Sequence, residues 1–238
     1  MIQRAKQEGT LSQNVFLADL HYSGGEDESI NQLLTDLPTD TRRIFLLGDI
    51  FDYWVNDPPF IEQTYAPLLA RFRRWADAGI QLFFIEGNRD FLASHFLDKQ
   101  PWIDVLVNPT ILDLGGRMVY IGHGDELCWD DWAYQCFKCF IRSIPMRFLA
   151  DRLPSFLKQM TARRMKKASE TLVAAKDQMT LAVPHRAYEA VFHSGVEVIV
   201  HGHLHDTYQR EYRLGDHAGQ VYCFGWKDGK RNLIHFAG

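Results

Sequence analysis

The sequence predicts an α/β fold, and three observations carry that expectation. Five short apolar, β-rich runs, NVFLA, RIFLL, QLFFI, MVYIG and VEVIV, are separated by longer helical or mixed stretches. Each run is nearly continuous in its hydrophobicity, as expected of strands covered on both faces. At 238 residues the chain suits one sizeable domain with room for an insertion. NVFLA comes first at 14–18, then RIFLL at 43–47. A helix is expected from Ile61, because apolar residues recur at Tyr65, Leu68, Leu69, Phe72 and Trp75, and Gly79 stops it. QLFFI (81–85), MVYIG (118–122) and VEVIV (196–200) come next, and QVYCFGW and NLIHFA read as two further strands near the C-terminus.

A chain that is 46% apolar and 24% charged is ordinary for a globular protein, which excludes disordered, collagenous and disulfide-scaffold classes. Its four cysteines are too few to staple a secreted module. Cys136 and Cys139 form a C-x-x-C, but no second pair completes a zinc site, so all four are expected as reduced core or interface thiols. The N-terminus is polar, with no apolar signal core, and no stretch approaches the ~18 apolar residues of a membrane span. A cytoplasmic chain is the expectation.

The residues just past each strand are more informative, since reactive groups in α/β sheets collect beyond the strands' carboxyl ends. NVFLA is followed by Asp19-Leu20-His21, RIFLL by Gly48-Asp49, and QLFFI by Glu86-Gly87-Asn88. MVYIG is followed by His123-Gly124-Asp125, and VEVIV by His201-Gly202-His203-Leu204-His205. In D-x-H and H-x-H an extended backbone would aim alternate side chains at one ion. Any one such segment is ordinarily just a turn; five in series are not. Carboxylate, imidazole and amide oxygen without thiolate suit Mn²⁺, Fe or Zn²⁺, and there are too many donors for a single ion.

The series D-x-H, GDIFD, GNRD, H-G-D and G-H-x-H, running from Asp19 to His205, resembles the calcineurin-like metallophosphoesterases. The resemblance implies a four-layer α/β/β/α sandwich, one domain over 1–238, with a helical lid inserted at 128–180. It implies two divalent ions, Mn²⁺ by preference. Asp19, His21, Asp49 and His205 would hold one, and Asp49, Asn88, His123 and His203 the other, with Asp49 bridging. Two ions about 3.5 to 4 Å apart can share a water, lower its pKa and direct the resulting hydroxide at phosphorus. His201 falls outside this set and is expected to support the turn. Asp52 and Asp125 are expected to orient ligand imidazoles or backbone. His95, His185, His193, His217 and His235 are read as ordinary surface or core histidines.

Most of that superfamily carries G-N-H, whereas this chain has Arg89. Arginine stays protonated, so it can clamp phosphate oxygens but cannot act as a general acid near neutral pH. The substrate should therefore lose a group that needs no proton, such as a phosphate monoester of pKa near ~6 to 7. The bland alternative is that Arg89 merely pairs with Asp90 or Asp52. GNRDFL and HGDELCWDDWAYQCF resemble a bacterial branch of the family that hydrolyses UDP-2,3-diacylglucosamine in lipid A synthesis. That implies cleavage of the diphosphate to UMP and 2,3-diacylglucosamine 1-phosphate. Arg89, Asn88 and Asp49 would be catalytic, and Asn88, Arg89, Asp131, Ser169, Lys176 and His203 would bind substrate. Val173 and Leu204 depart from the branch's pattern and put the lid contacts in doubt, not the metal set. Another metal-dependent phosphoesterase acting on a nucleotide or other diphosphate, and an inactive metal-binding scaffold, remain as alternatives.

Between Lys138 and Lys176, ten Lys/Arg stand against two acidic residues, Asp151 and Glu170, a local +8 in a chain of net -4. Interleaved Phe, Ile, Leu and Met make this stretch basic and amphipathic, as for helices at an anionic membrane surface or over a lipid-bearing substrate. Aliphatic rather than aromatic content argues against nucleic acid. A plain hairpin with solvated charges is the alternative. The expected partners are a lipid-linked UDP-sugar and the inner face of the inner membrane, met by a peripheral, monomeric protein.

Overall fold

The computed structural model describes residues 4–7, 13–25, 28–35, 37–175, 182–214, 217–227, 230–231 and 234–235. In chain order the strands are β1 (Arg4–Gln7), β2 (Asn14–Leu17), β3 (Arg43–Leu47), β4 (Gln81–Ile85), β5 (Asp104–Leu106), β6 (Thr110–Leu114) and β7 (Arg117–Ile121). Then come β8 (Val198–His201), β9 (Tyr208–Leu214), β10 (His217–Cys223), β11 (Trp226–Lys227), β12 (Lys230–Arg231) and β13 (Ile234–His235). The helices are α1 (Glu28–Thr35), α2 (Pro58–Asp77), α3 (Ala93–Leu97), α4 (Trp132–Ile141), α5 (Ile144–Arg152), α6 (Ser155–Ala175) and α7 (His185–His193).

Two sheets, not one, account for the doubly buried strands. The first runs β13-β2-β3-β4-β5, with β2 to β5 parallel. The second runs β1-β6-β7-β8-β10-β9. Strand alternation sorts the side chains between layers. Val15, Leu17, Ile44, Leu46, Leu82 and Phe84 face α1 to α3, where Tyr65, Leu68 and Phe72 of α2 meet them. Phe16, Phe45, Leu47, Phe83 and Ile85 face the second sheet and pack on Leu112, Val119, Ile121, Val198 and Val200. Phe16 stacks on Phe45 at 5.0 Å and Phe45 on Phe83 at 4.8 Å between ring centroids, a ladder in the inter-sheet core. The far face of the second sheet, through Ile111, Tyr120, Ile199 and Val221, meets Ala187, Tyr188 and Phe192 of α7. The order is therefore helix, sheet, sheet, helix.

The helix expected from Ile61 begins earlier, because Pro58 and Pro59 occupy first-turn positions that need no amide donor. QVYCFGW is divided between β10 and β11, and the described residues of NLIHFA, Ile234 and His235, form β13. All four cysteines are free: Cys128 and Cys223 are buried, but Cys136 and Cys139 lie exposed on α4 rather than in a core. Between β7 and α7, the helices α4, α5 and α6 occupy the stretch read as a lid.

Candidate metal centre

The segments that follow β2, β3, β4, β7 and β8 converge across the rims of both sheets. Asp19, His21, Asp49, His203 and His205 all adopt positive φ, of 52°, 46°, 50°, 72° and 52°. Left-handed backbone at a non-glycine residue is strained by about 1–3 kcal/mol and persists where surrounding contacts impose it. This corrects the expectation that extended D-x-H and H-x-H segments aim the ligands: left-handed loops do so. Glycine is required beside them, since Gly48 has a φ of +78° and a Cβ there would come within 2.5 Å of the Gly87 backbone.

His21 Nε2 lies 3.2 Å from His205 Nε2, and Asp19 joins them in one group of convergent donors. Asp19, Asp49 and His123 form a second group. Asp19 belongs to both groups, and Asp49, which the family resemblance implies as the bridging ligand, stands beside it in the second. Asn88 Oδ1 lies 2.9 Å from His123 Nε2 and 3.2 Å from His203 Nδ1. All seven expected metal residues are therefore brought together.

The donor set fits divalent cations. Asp19 is 2% exposed, yet its Oδ1 has no hydrogen-bond partner among the described residues, while Oδ2 accepts from His203 N at 2.8 Å. Burial and then the neighbouring Asp49 raise its pKa well above the carboxylate range. Burial likewise lifts Asp49 to about 7. A cation offsets both penalties. Burial and then His123 pull His203 down to about 3, so its imidazole is neutral and able to ligate.

Arg89 donates its backbone N–H to Asp49 Oδ1 at 2.8 Å, and its guanidinium reaches Asp52 at 3.2 Å. Asp52 therefore holds Arg89, the pairing given above as the bland alternative for that residue. Asp125 does not orient an imidazole: it accepts from Tyr134 Oη at 2.6 Å and from Lys138 Nζ at 2.8 Å. Burial pushes its pKa up, but His123, Lys138 and Arg142 together hold it well below the usual range. The His123 ring is instead oriented by Leu47 O, 2.8 Å from Nδ1. Asp131 caps α4 by accepting from Tyr134 N at 3.2 Å. Ser169 lies on α6, and Lys176 falls outside the described residues. His201 is buried beneath the turn. His95, His185 and His193 lie on helices, bonded to Lys99, Glu189 and the Glu189 carbonyl.

Other contributors came from no motif or from an unread part of one. Asp90, wholly buried, accepts from Ile50 N and Gly87 N, both at 2.8 Å, and so clamps the Asp49 loop to the Asn88 loop. The Asn108 side chain donates to Glu86 O at 3.0 Å and accepts from His123 N at 3.2 Å, bridging the two sheets' rims. Asp90 is legible as the D of GNRD; nothing around Asn108 announces its role.

The helices α4 to α6 are fastened to these same loops. Arg142 reaches Glu86 at 3.2 Å and Gly87 O at 2.7 Å, and Arg147 also reaches Glu86 at 3.2 Å. Ser155 and Gln159 of α6 donate to Asp57 at 2.9 and 3.1 Å. The Tyr134 ring stacks on His203 at 6.4 Å.

This sandwich, with carboxylates, imidazoles and an amide gathered beyond parallel strands, defines a metal-dependent phosphoesterase. The calcineurin-like phosphoesterase family matches residues 15–207, and the chain belongs to that family, whose members use divalent metals. Among similar proteins is the UDP-2,3-diacylglucosamine hydrolase of Nitrosococcus oceani, 32% identical over 226 residues, covering 92% of this chain and 89% of that one. That of Klebsiella pneumoniae is 32% identical, covering 89% of this chain and 90% of its own. That of Salmonella paratyphi C is 31% identical, with 89% and 90% covered.

Proposed function

We propose that this chain hydrolyses the diphosphate of UDP-2,3-diacylglucosamine, giving UMP and 2,3-diacylglucosamine 1-phosphate, with two Mn²⁺ ions held by Asp19, His21, Asp49, Asn88, His123, His203 and His205. The carrying observation is Arg89, set against Asp49 by its own backbone N–H and aimed by Asp52. When bound, two divalent cations lower the pKa of a shared water and neutralise phosphoryl charge. Beside them, the Arg89 guanidinium holds phosphate oxygens and adds fixed positive charge where negative charge accumulates. It supplies no proton, and a sugar 1-phosphate leaves without one. Asn88 turns its amide oxygen towards His123 and His203 and is well placed to contact both metal and substrate. Relatives of the stated name at 30% identity or more, matched over most of both chains, support the substrate.

The lid supports a lipid-bearing substrate and a membrane partner. Of the ten large hydrophobic side chains exposed among the described residues, nine lie between Trp129 and Met160, with Ile144 84% and Phe156 69% exposed. Lys138, Arg142, Arg147 and Lys158 instead point their charges at the core. Exposed apolar side chains on α4 and α5 beside the exposed Arg163, Arg164 and Lys167 of α6 make an apolar phase with an anionic border the natural neighbour of this surface. Acyl chains and the cytoplasmic membrane face both provide one, with Asp131, Ser169 and Lys176 as the substrate contacts of the lid. No helix among the described residues is long and apolar enough to cross a membrane, which fits a peripheral attachment.

The test is turnover. With Mn²⁺, the protein should release UMP from UDP-2,3-diacylglucosamine far faster than it cleaves p-nitrophenyl phosphate, cyclic nucleotides or UDP-sugars without acyl chains; the reverse ranking rejects the substrate.

A further inference from the structure

We infer that His201 is a positioning residue: its Nδ1–H, held in that tautomer by a chain of tyrosine hydroxyls, braces the strained turn that presents His203. Leu204 N donates to Gly202 O at 2.9 Å across His203, whose φ is +72°. An i to i+2 bond around a residue of positive φ is the rare, strained form of γ-turn. The carbonyl that closes the turn has two further neighbours, His201 Nδ1 at 2.9 Å and, more weakly, the Cys223 thiol at 3.8 Å. The Gly202 amide is also engaged, donating to His123 O at 2.7 Å. Thus both polar groups of the Gly202 backbone are tied, one to the loop of His123 and one to the buried imidazole.

The tautomer is dictated by the partners. A carbonyl oxygen can only accept, so Nδ1 carries the proton; a bare Nδ1 would set lone pair against lone pair at this distance. His201 is wholly buried, and its polar partners are a carbonyl and a hydroxyl, so the ring is neutral and Nε2 is an acceptor. Tyr188 Oη, 2.7 Å away, must donate to it. Tyr208 Oη lies 2.8 Å from Tyr188 Oη and supplies the donor that Tyr188 then accepts. The polarity runs Tyr208, Tyr188, His201, Gly202, from α7 and β9 into the turn. Two elements that contribute no predicted ligand thereby fix one that does.

This rests on His203 being a metal ligand, which Mn²⁺ binding by the native chain tests separately. Histidine ¹⁵N NMR of the metal-free full chain should show His201 protonated at Nδ1 and bare at Nε2, with the Nε2 signal displaced by Tyr188→Phe. His201→Leu should weaken Mn²⁺ binding about tenfold or more, as losses behind a ligand do, while His201→Asn, which keeps a donor near Nδ1, should recover most of it. If His201→Leu does not fold, the tautomer and the His201→Asn titration decide. An Nε2–H tautomer, native affinity in His201→Leu, or no recovery in a folded His201→Asn overturns the inference. Native Mn²⁺ binding without UMP release would instead reject the proposed substrate and leave His201's role intact.

Discussion

Arg89 meets Asp49 twice, through its backbone N–H at 2.8 Å from Oδ1 and through its side-chain Nε at 3.8 Å from Oδ2. The two contacts separate under mutation. Arg89→Ala keeps the backbone bond that orients Asp49 and removes only the guanidinium. Turnover of the diphosphate should fall on the order of a hundredfold, as for loss of one charge-stabilising donor. Elemental analysis should still find both metals. Falling metal content would show that Arg89 holds the centre together rather than clamping phosphate.

Metal binding should compete with protons. Burial leaves Asp49 at about 7 and Asp19 well above the carboxylate range in the metal-free chain, so below about pH 7 the folded protein holds protons that a bound cation must displace. Affinity for Mn²⁺ should therefore fall as pH drops from 8 to 6, with protons released on binding. His203, already neutral, contributes little to that slope. At a hundredfold excess over Kd, each ion should add about 2.7 kcal/mol of stability. Calorimetry in buffers of different ionisation enthalpy reads the proton count, and pH-independent binding would contradict the assignment.

Glu86 anchors α4 and α5 through Arg142 and Arg147. Glu86→Gln takes a carboxylate from two guanidinium groups, Arg142 keeping Asp125 at 4.0 Å, and should cost about 1–2 kcal/mol. Hydrogen exchange should accelerate in α4 and α5 before it does in β2 to β4. Uniform acceleration would mean that the lid is not a separable unit.

Attachment to anionic liposomes should weaken steeply with salt, because Arg163, Arg164 and Lys167 are exposed. Replacing Ile144 and Phe156 by Ser should lower affinity without changing the salt slope, since only apolar contact is lost. Co-sedimentation at several ionic strengths separates the two effects, and salt-insensitive binding would argue against the membrane face.

Much of this centre is written in the sequence because it sits in short motifs directly after apolar strands: Asp19, Asp49, Asn88, His123 and His203 each come soon after a recognisable run. Their conformation is not. Nothing in D-L-H or H-L-H announces positive φ, which long-range bonds such as His203 N to Asp19 Oδ2 impose. The second sheet was legible only through family resemblance, since β9, YQREYRL, is a charged edge strand without the alternation of a half-buried one. Asn108 was invisible for a related reason: one amide spanning two rims has no periodicity and no neighbours of its own kind.

Asp19 and His203 stand 184 positions apart, yet one grips the other's amide. During synthesis, therefore, the early half of the centre waits, incomplete, until the loop after β8 has emerged. A truncated product ending before β8 would lack every donor that the second sheet's last ligand loop supplies. Capture of a full metal complement would then report that the loop after β8 has been made and docked.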